Sequence, residues 1–210
     1  MKISTSILSV ENDYIKDAID KLNNTNTDYI HLDIMDGIFV PNENWSYEFL
    51  KERLVDNKKP LDVHLMVSDV KKYIDLFSNF NPVFITFHYE AISEVGSVIN
   101  YIKSKNIKVG LAIKPATDVS EIVDYLPYVD LALVMSVEPG KGGQTFIENS
   151  VNKIEDLYKI RENQGYNYLI EVDGGINSET IKECSKVDIA VAGKYVTSND
   201  YQDSLNNLKK

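Results

Sequence analysis

"YIHLDIMDGIFVPN", residues 29–42, is mostly an apolar run of the kind that forms a buried strand, yet it carries His31, Asp33 and Asp36. Burying an unpaired charge costs several kcal/mol, so these groups must meet partners inside the fold. Side chains alternate along a strand. His31, Asp33 and Met35 therefore share one face, and Leu32 and Ile34 share the other.

Working outward, short β-branched runs recur along the chain. They are "KISTSIL" (2–8), "DYIHLDIM" (28–35), "LDVHLM" (61–66), "VFITFH" (83–88), "IKVGLAI" (107–113), "LALVM" (131–135), "YLIEV" (168–172) and "DIAVA" (188–192). Longer stretches between them have helical spacing. Tyr14, Ile15, Ala18, Ile19 and Leu22 mark one apolar stripe, and Val151, Ile154, Leu157, Tyr158 and Ile160 mark another. Strands alternating with helices give a parallel sheet covered by helices. Eight such units predict a single (β/α)8 TIM barrel over residues 1–210, with an open doubly wound sheet as the alternative. The terminal "NNLKK" is expected to fray.

The chain has 210 residues, 43% of them hydrophobic, enough for one domain with a full core. A formal net charge of −10 disfavours nucleic acid and anionic membranes as partners. An anionic substrate would need local help from backbone amides or lysines. The one cysteine, Cys184, permits no intrachain disulfide and reads as a small core residue. "MKISTSILSV" lacks a long apolar signal-peptide run, and no stretch reaches the length of a membrane span. A cytoplasmic protein is expected.

The same alternation puts Asp62, His64 and Met66 on one face of their run, and Leu169, Glu171 and Asp173 on one face of theirs. If those faces point inward, His31, Asp33, His64 and Asp173 converge at the C-terminal ends of strands 2, 3 and 7, the rim where barrel enzymes keep their active sites. Two imidazoles and two carboxylates suit a divalent metal: zinc first, then manganese, iron(II) or cobalt. Such a cation would offset the cost of burying these groups. His88 also ends a strand, but a hydrogen-bonded structural histidine is the expected reading there. Met35, Met66 and Met135 have inward parity. Core packing is the default for them, and a thioether wall around the metal is the functional alternative.

Three glycine loops follow strands 6, 7 and 8: "VEPGKGGQTF" (137–146), "VDGGIN" (172–177) and "VAGKYV" (191–196). Glycine lets backbone N–H groups approach a phosphate, and barrels commonly bind phosphate at these loops. Lys141 and Lys194 would add positive charge there; plain turns are the alternative.

The words "SILS" (6–9), "HLDIMDGIFVPN" (31–42), "LDVHLMV" (61–67), "PAT" (115–117), "LVMSVEPGKGGQTFI" (133–147), "EVDGGIN" (171–177) and "VAG" (191–193) resemble those of the ribulose-phosphate 3-epimerases, in the same order. The resemblance implies a metal-dependent isomerase acting on a small ketose phosphate, D-ribulose 5-phosphate to D-xylulose 5-phosphate, in the pentose phosphate pathway. It implies a divalent metal, commonly zinc, held by His31, Asp33, His64 and Asp173, with Asp33 and Asp173 also the acid–base pair. By the same resemblance Ser9 and His64 face the substrate, and Met35, Met66 and Met135 line the site. Phosphate is expected at Gly140, Lys141, Gly142, Gly143, Gly174, Gly175, Gly193 and Lys194. A homo-oligomer is expected too.

The chain departs from the family pattern at Lys114, Glu138, Lys141 and Lys194, and in "PNENWSY" (41–47). These changes surround the substrate and leave the metal words intact. Two alternatives follow: an epimerase of a six-carbon ketose phosphate such as D-allulose 6-phosphate, or a non-catalytic sugar-phosphate-binding barrel. A metal-free phosphate-binding barrel, such as a decarboxylase or a thiamin-phosphate synthase, lacks the paired strand histidines.

Overall fold

The computed structural model describes residues 1–210. Eight parallel strands close in sequence order into a barrel. They are β1 (Lys2–Ser6), β2 (Tyr29–Met35), β3 (Leu61–Met66), β4 (Phe84–His88), β5 (Lys108–Ile113), β6 (Leu131–Met135), β7 (Leu169–Asp173) and β8 (Ile189–Ala192). Pairing of β1 with β8 closes the sheet and removes both edges, which excludes the open arrangement.

The outward side chains, among them Ile30, Leu32, Ile34, Val63 and Leu65, join one cluster of 48 buried residues between sheet and helices, so most apolar burial lies outside the barrel. The lumen is different. Tyr29, Phe84, Leu131, Leu133 and Ile189 pack within it. Also sequestered there are Ser4, His31, Asp62, His64, Thr86, His88 and Glu171, each fully buried.

The helices are α1 (Ile15–Asn23), α2 (Tyr47–Arg53), α3 (Val70–Phe77), α4 (Val95–Ser104), α5 (Ser150–Gln164), α6 (Lys194–Thr197) and α7 (Tyr201–Leu208). In α1, Ile15, Ala18, Ile19 and Leu22 are buried as the spacing predicts. Tyr14 instead lies in the preceding 3-10 turn and is 59% exposed. Ser46 and Asp69 start α2 and α3 by accepting the N–H groups of Phe49 and Lys72. The C-terminal "NNLKK" does not fray throughout, because α7 buries Leu205 and Leu208.

Eight helical connections are not all α-helices. Between β5 and β6 the chain makes only 3-10 turns, Val119–Glu121 and Val123–Tyr128. Pro127 lies in the second and cannot donate the N–H that an α-helix needs. Between β7 and β8 only the 3-10 turn Thr180–Glu183 forms. There Asn177 Oδ1 takes the N–H groups of Glu179 and Thr180, pinning the chain into a tight turn. No helix is long and apolar enough to cross a membrane.

Candidate active site and metal centre

Parallel register sets the height of each functional side chain. Asp33 pairs with His64 across β2 and β3, and Met135 pairs with Asp173 across β6 and β7. Barrel closure then brings β7 to face β2 and β3. His31 Nε2 lies 3.5 Å from Asp33 Oδ1 and 3.8 Å from Asp173 Oδ2. His64 Nδ1 lies 3.3 Å from Asp33 Oδ1 and 3.6 Å from Asp173 Oδ2. The four donors predicted from alternation thus meet in one cluster, their ligand atoms all within 4.8 Å of one another.

This donor set fits a small divalent cation. Four of the separations between donor atoms are 3.3–3.8 Å, close enough for one ion to reach all four groups with bonds of about 2.0–2.2 Å after small adjustments. His31 Nε2 is buried, has no hydrogen-bond partner and faces the two carboxylates, so it is free to ligate once its proton is displaced by a cation. Burial opposes charge on His31, but Asp62 and Asp33 outweigh it and raise its pKa well above the usual range. Asp33 is also opposed by burial, yet His31 and His64 hold its carboxyl far below the ordinary carboxylate range. These carboxylates attract a positive charge, and a bound cation would supply more of it than a proton.

Further groups orient the donors. His31 Nδ1 donates to Asp62 Oδ2 at 2.7 Å, which leaves Nε2 to the cluster. Asp62 Oδ2 also accepts from the Ser4 hydroxyl at 2.8 Å. Ser6 Oγ donates to Asp33 Oδ2 at 2.7 Å, leaving Oδ1 to the cluster. Deeper in the lumen, neither carboxyl oxygen of Glu171 has a partner. Burial and the nearby Asp62 raise the Glu171 pKa well above the usual carboxylate range, favouring the neutral acid.

Asp36, the third polar residue of the opening stretch, serves the loop beyond β2. Its Oδ1 accepts the N–H groups of Ile38 and Phe39, and its Oδ2 accepts the N–H and hydroxyl of Ser68. Burial disfavours its charge, but these donors outweigh that effect and bring its pKa down to about 2.

Above the cluster opens a cavity of about 350 Å³. Asp33, Asp173, Ser9, Met66 and Met135 line it, with Gly140–Gly143, Gly174, Gly175, Gly193 and the two lysines Lys141 and Lys194 on its outer side. Ser9 Oγ lies 2.6 Å from where a Cβ on residue 142 would stand, so a larger residue there would have to turn the Ser9 hydroxyl aside. At Gly175 a Cβ would meet the backbone of Phe146 at 2.5 Å, and φ is +67°. The Lys194 side chain lies across Gly143, its Cδ 3.0 Å and Nζ 3.6 Å from that residue's virtual Cβ. Asn42, from the opening stretch, donates to the Gly140 carbonyl at 2.8 Å and ties the β2 loop to the β6 loop.

Met35 does not line the cavity. It is 2% exposed and packs with Val40 and Met66, so the chain beyond β2 covers it. His31 and His64 lie beneath the cavity floor, fully buried. His88 is hydrogen-bonded as expected, but one of its partners is His64: the two Nε2 atoms are 2.9 Å apart. Burial, with His64 nearby, lowers its pKa to about 4 despite the opposing pull of Glu90. Sequence reasoning assigned no role to Ser6, Asp62 or Glu90. For the first two the inward parity of "KISTSIL" and "LDVHLM" was a usable signal.

Fold and donor set together define a closed (β/α)8 barrel with a buried histidine–aspartate cluster that could hold a divalent metal, beneath a glycine- and lysine-lined rim. The sequence matches the model of the ribulose-phosphate 3-epimerase family over residues 2–197. It is 36% identical to the ribulose-phosphate 3-epimerase of Treponema pallidum, covering 97% of this chain and 94% of that one. It is 35% identical to that of Helicobacter pylori, covering 93% and 90%. The chain belongs to the ribulose-phosphate 3-epimerase family and is an enzyme of the isomerase type. Among solved structures, KGPDC from Streptococcus mutans superposes with a TM-score of 0.71 at 14% identity, covering 99% of this chain and 95% of that one. At that identity the likeness speaks for the barrel alone.

Proposed function

We propose that the protein interconverts D-ribulose 5-phosphate and D-xylulose 5-phosphate by moving a proton between the two faces of C3. The observation that carries this reading is the placement of Asp33 and Asp173. Both line the cavity, from β2 and from β7, and both join the cation cluster. One carboxylate removes the C3 proton from its face of the sugar, leaving an enediolate. The other returns a proton from the opposite face, and the roles exchange with reaction direction. A carboxylate is a weak base for a proton alpha to a carbonyl. When bound at His31, Asp33, His64 and Asp173, a divalent cation supplies Lewis-acid acidification of that proton and stabilises the developing negative charge. Two imidazoles with two carboxylates suit zinc first among the divalent metals.

The remaining residues hold the substrate. Backbone N–H groups of the glycine loops and the Lys141 and Lys194 ammonium groups bind the phosphate against the chain's net charge of −10. Ser9 contacts the sugar beside Gly142. Met66 and Met135 keep water from the intermediate without competing for the metal. Anchoring the phosphate fixes C3 between the carboxylates.

The test is turnover of both D-ribulose 5-phosphate and D-allulose 6-phosphate, after chelation and after separate add-back of zinc, manganese, iron(II) and cobalt. Fast turnover of the five-carbon sugar that chelation abolishes and zinc restores is expected. Turnover of only the six-carbon sugar would move the substrate and keep the chemistry. Turnover of neither, with metal bound, would refute the epimerase reading.

A further inference from the structure

The two histidines of the cation cluster are oriented by different means. His31 donates directly to a carboxylate, Asp62. His64 donates instead to a second imidazole, which leads to a carboxylate one step further out. We propose that Glu90, acting through His88, is a positioning residue that holds His64 in the tautomer whose Nδ1 lone pair faces the metal position.

Donor and acceptor roles follow from four contacts. His64 Nδ1 faces Asp33 and Asp173 at 3.3 and 3.6 Å, so Nδ1 is the nitrogen that would bind metal. It must then be bare, and the ring proton sits on Nε2. That nitrogen lies 2.9 Å from His88 Nε2. Two ring nitrogens at this distance need one donor and one acceptor. His64 donates, so His88 Nε2 is bare and His88 carries its proton on Nδ1. His88 Nδ1 lies 3.2 Å from Glu90 Oε2, and an ionised carboxylate only accepts. Glu90 itself is held by its other oxygen: Oε1 accepts the Lys114 N–H at 2.7 Å and the Thr117 hydroxyl. Every polar atom from Glu90 to His64 Nδ1 thus has one role.

The two imidazoles are sealed from water, which could otherwise satisfy either tautomer, while the Glu90 side chain keeps 20% exposure at the outer end. His64 and His88 are both fully buried. The Phe39 ring lies 4.9 Å from the His88 ring, and the Lys114 ammonium lies 3.9 Å from the Phe39 ring on its own side. Reversing the two imidazole protons gives an alternative in which His64 carries its proton on Nδ1, pointing at the metal position. Glu90 excludes that state because it offers His88 no donor.

This inference rests on His64 being a metal ligand, and Glu90→Gln tests it without changing shape. The carbonyl oxygen of the substituted side chain stays with the Lys114 and Thr117 donors, so its amide NH2 faces His88 Nδ1. That donor forces the His88 proton onto Nε2, against His64. Zinc affinity would be measured by competition with a chromophoric chelator on the full chain. Loss of such outer partners typically weakens metal binding about 10- to 100-fold, and this is expected for Glu90→Gln. His88→Asn, which keeps a polar group near Glu90 but cannot reach His64, is expected to weaken binding similarly. His88→Gln, whose amide oxygen reaches the Nε2 position, is expected to stay within a few fold of wild type. Nitrogen-15 NMR of wild type is expected to show His88 protonated on Nδ1. Zinc affinity unchanged in both Glu90→Gln and His88→Asn, or a wild-type His88 protonated on Nε2, would overturn the inference and leave the metal site standing. A wild-type protein that binds no zinc, manganese, iron(II) or cobalt would overturn the metal site and the inference with it.

Discussion

The β2–β3–β4 side of the barrel mouth and the β6–β7–β8 side are built on different principles. On the first side, functional groups are mostly buried strand side chains hydrogen-bonded in series: Ser6 of the neighbouring β1 to Asp33, Asp62 to His31, and His88 to His64, with Glu90 in the turn just after β4 holding His88. On the second side, apart from Asp173, the surface is mostly backbone, opened by glycines and topped by the exposed Lys141 and Lys194. Strand side chains in a close-packed lumen cannot shift without breaking a buried hydrogen bond, which costs about 1–3 kcal/mol for each group left unpaired. Exposed loop side chains carry no such penalty. Of the departures from the family pattern, Glu138, Lys141 and Lys194 lie on the second side, "PNENWSY" (41–47) follows β2 on the first, and Lys114 follows β5; all of them lie beyond the strands rather than on them. On the proposed function, the barrel would hold its chemistry on strands and leave recognition of the substrate's far end to loops, where side chains can change without unpairing a buried group.

The largest test of this contrast is Asp33→Asn beside Asp173→Asn. One residue belongs to each side, yet both are expected to lower kcat by about 100- to 10,000-fold with the fold retained, as judged by circular dichroism. A near-normal rate in either would remove that carboxylate from proton transfer and confine the chemistry to one side.

Lys194→Ser probes the loop side. KM for the ketose phosphate is expected to rise roughly two- to fivefold, and its dependence on salt to flatten, with kcat nearly unchanged. A fall in kcat instead would mean that the loop positions C3 as well as the phosphate, and the division between the two sides would blur.

The smallest expected effect concerns pH. Burial opposes the Glu90 charge, but His88, Thr117 and the Lys114 N–H outweigh it and bring its pKa to about 2 from an ordinary 4.5. The folded value is the lower one, so this group's contribution to stability is present in full above about pH 4.5 and is lost as pH falls toward about 2. Urea unfolding of wild type and Glu90→Gln at pH 6 and pH 3 is expected to show a stability difference that narrows at the lower pH. A constant difference would show that the Glu90 charge does not stabilise the β4 side of the mouth.

Much of this was legible in the sequence because alternation is a local rule. A period of two places His31 with Asp33, Asp62 with His64, and Glu171 with Asp173 on one face of their strand whatever the rest of the chain does. Glycine words marked the loops for a similar local reason. The sequence did not distinguish an α-helix from the 3-10 turns around Pro127, where a single missing N–H outweighs the apolar pattern. Nor did it show that Met35 lies covered under Val40 while Met66 and Met135 reach the cavity, because that depends on where the chain returns after β2.

The tertiary structure alone decided which side chains meet between strands. The His88 and His64 nitrogens approach to 2.9 Å, and Glu171 lies beside Asp62 with no partner for either carboxyl oxygen. Such contacts depend on the stagger between neighbouring strands and on closure of β8 against β1, which are properties of the whole barrel. The sequence by itself determined which groups share a strand face; closure of the sheet turned that face inward and decided which groups touch, because contact across strands is set by register and no single strand encodes it.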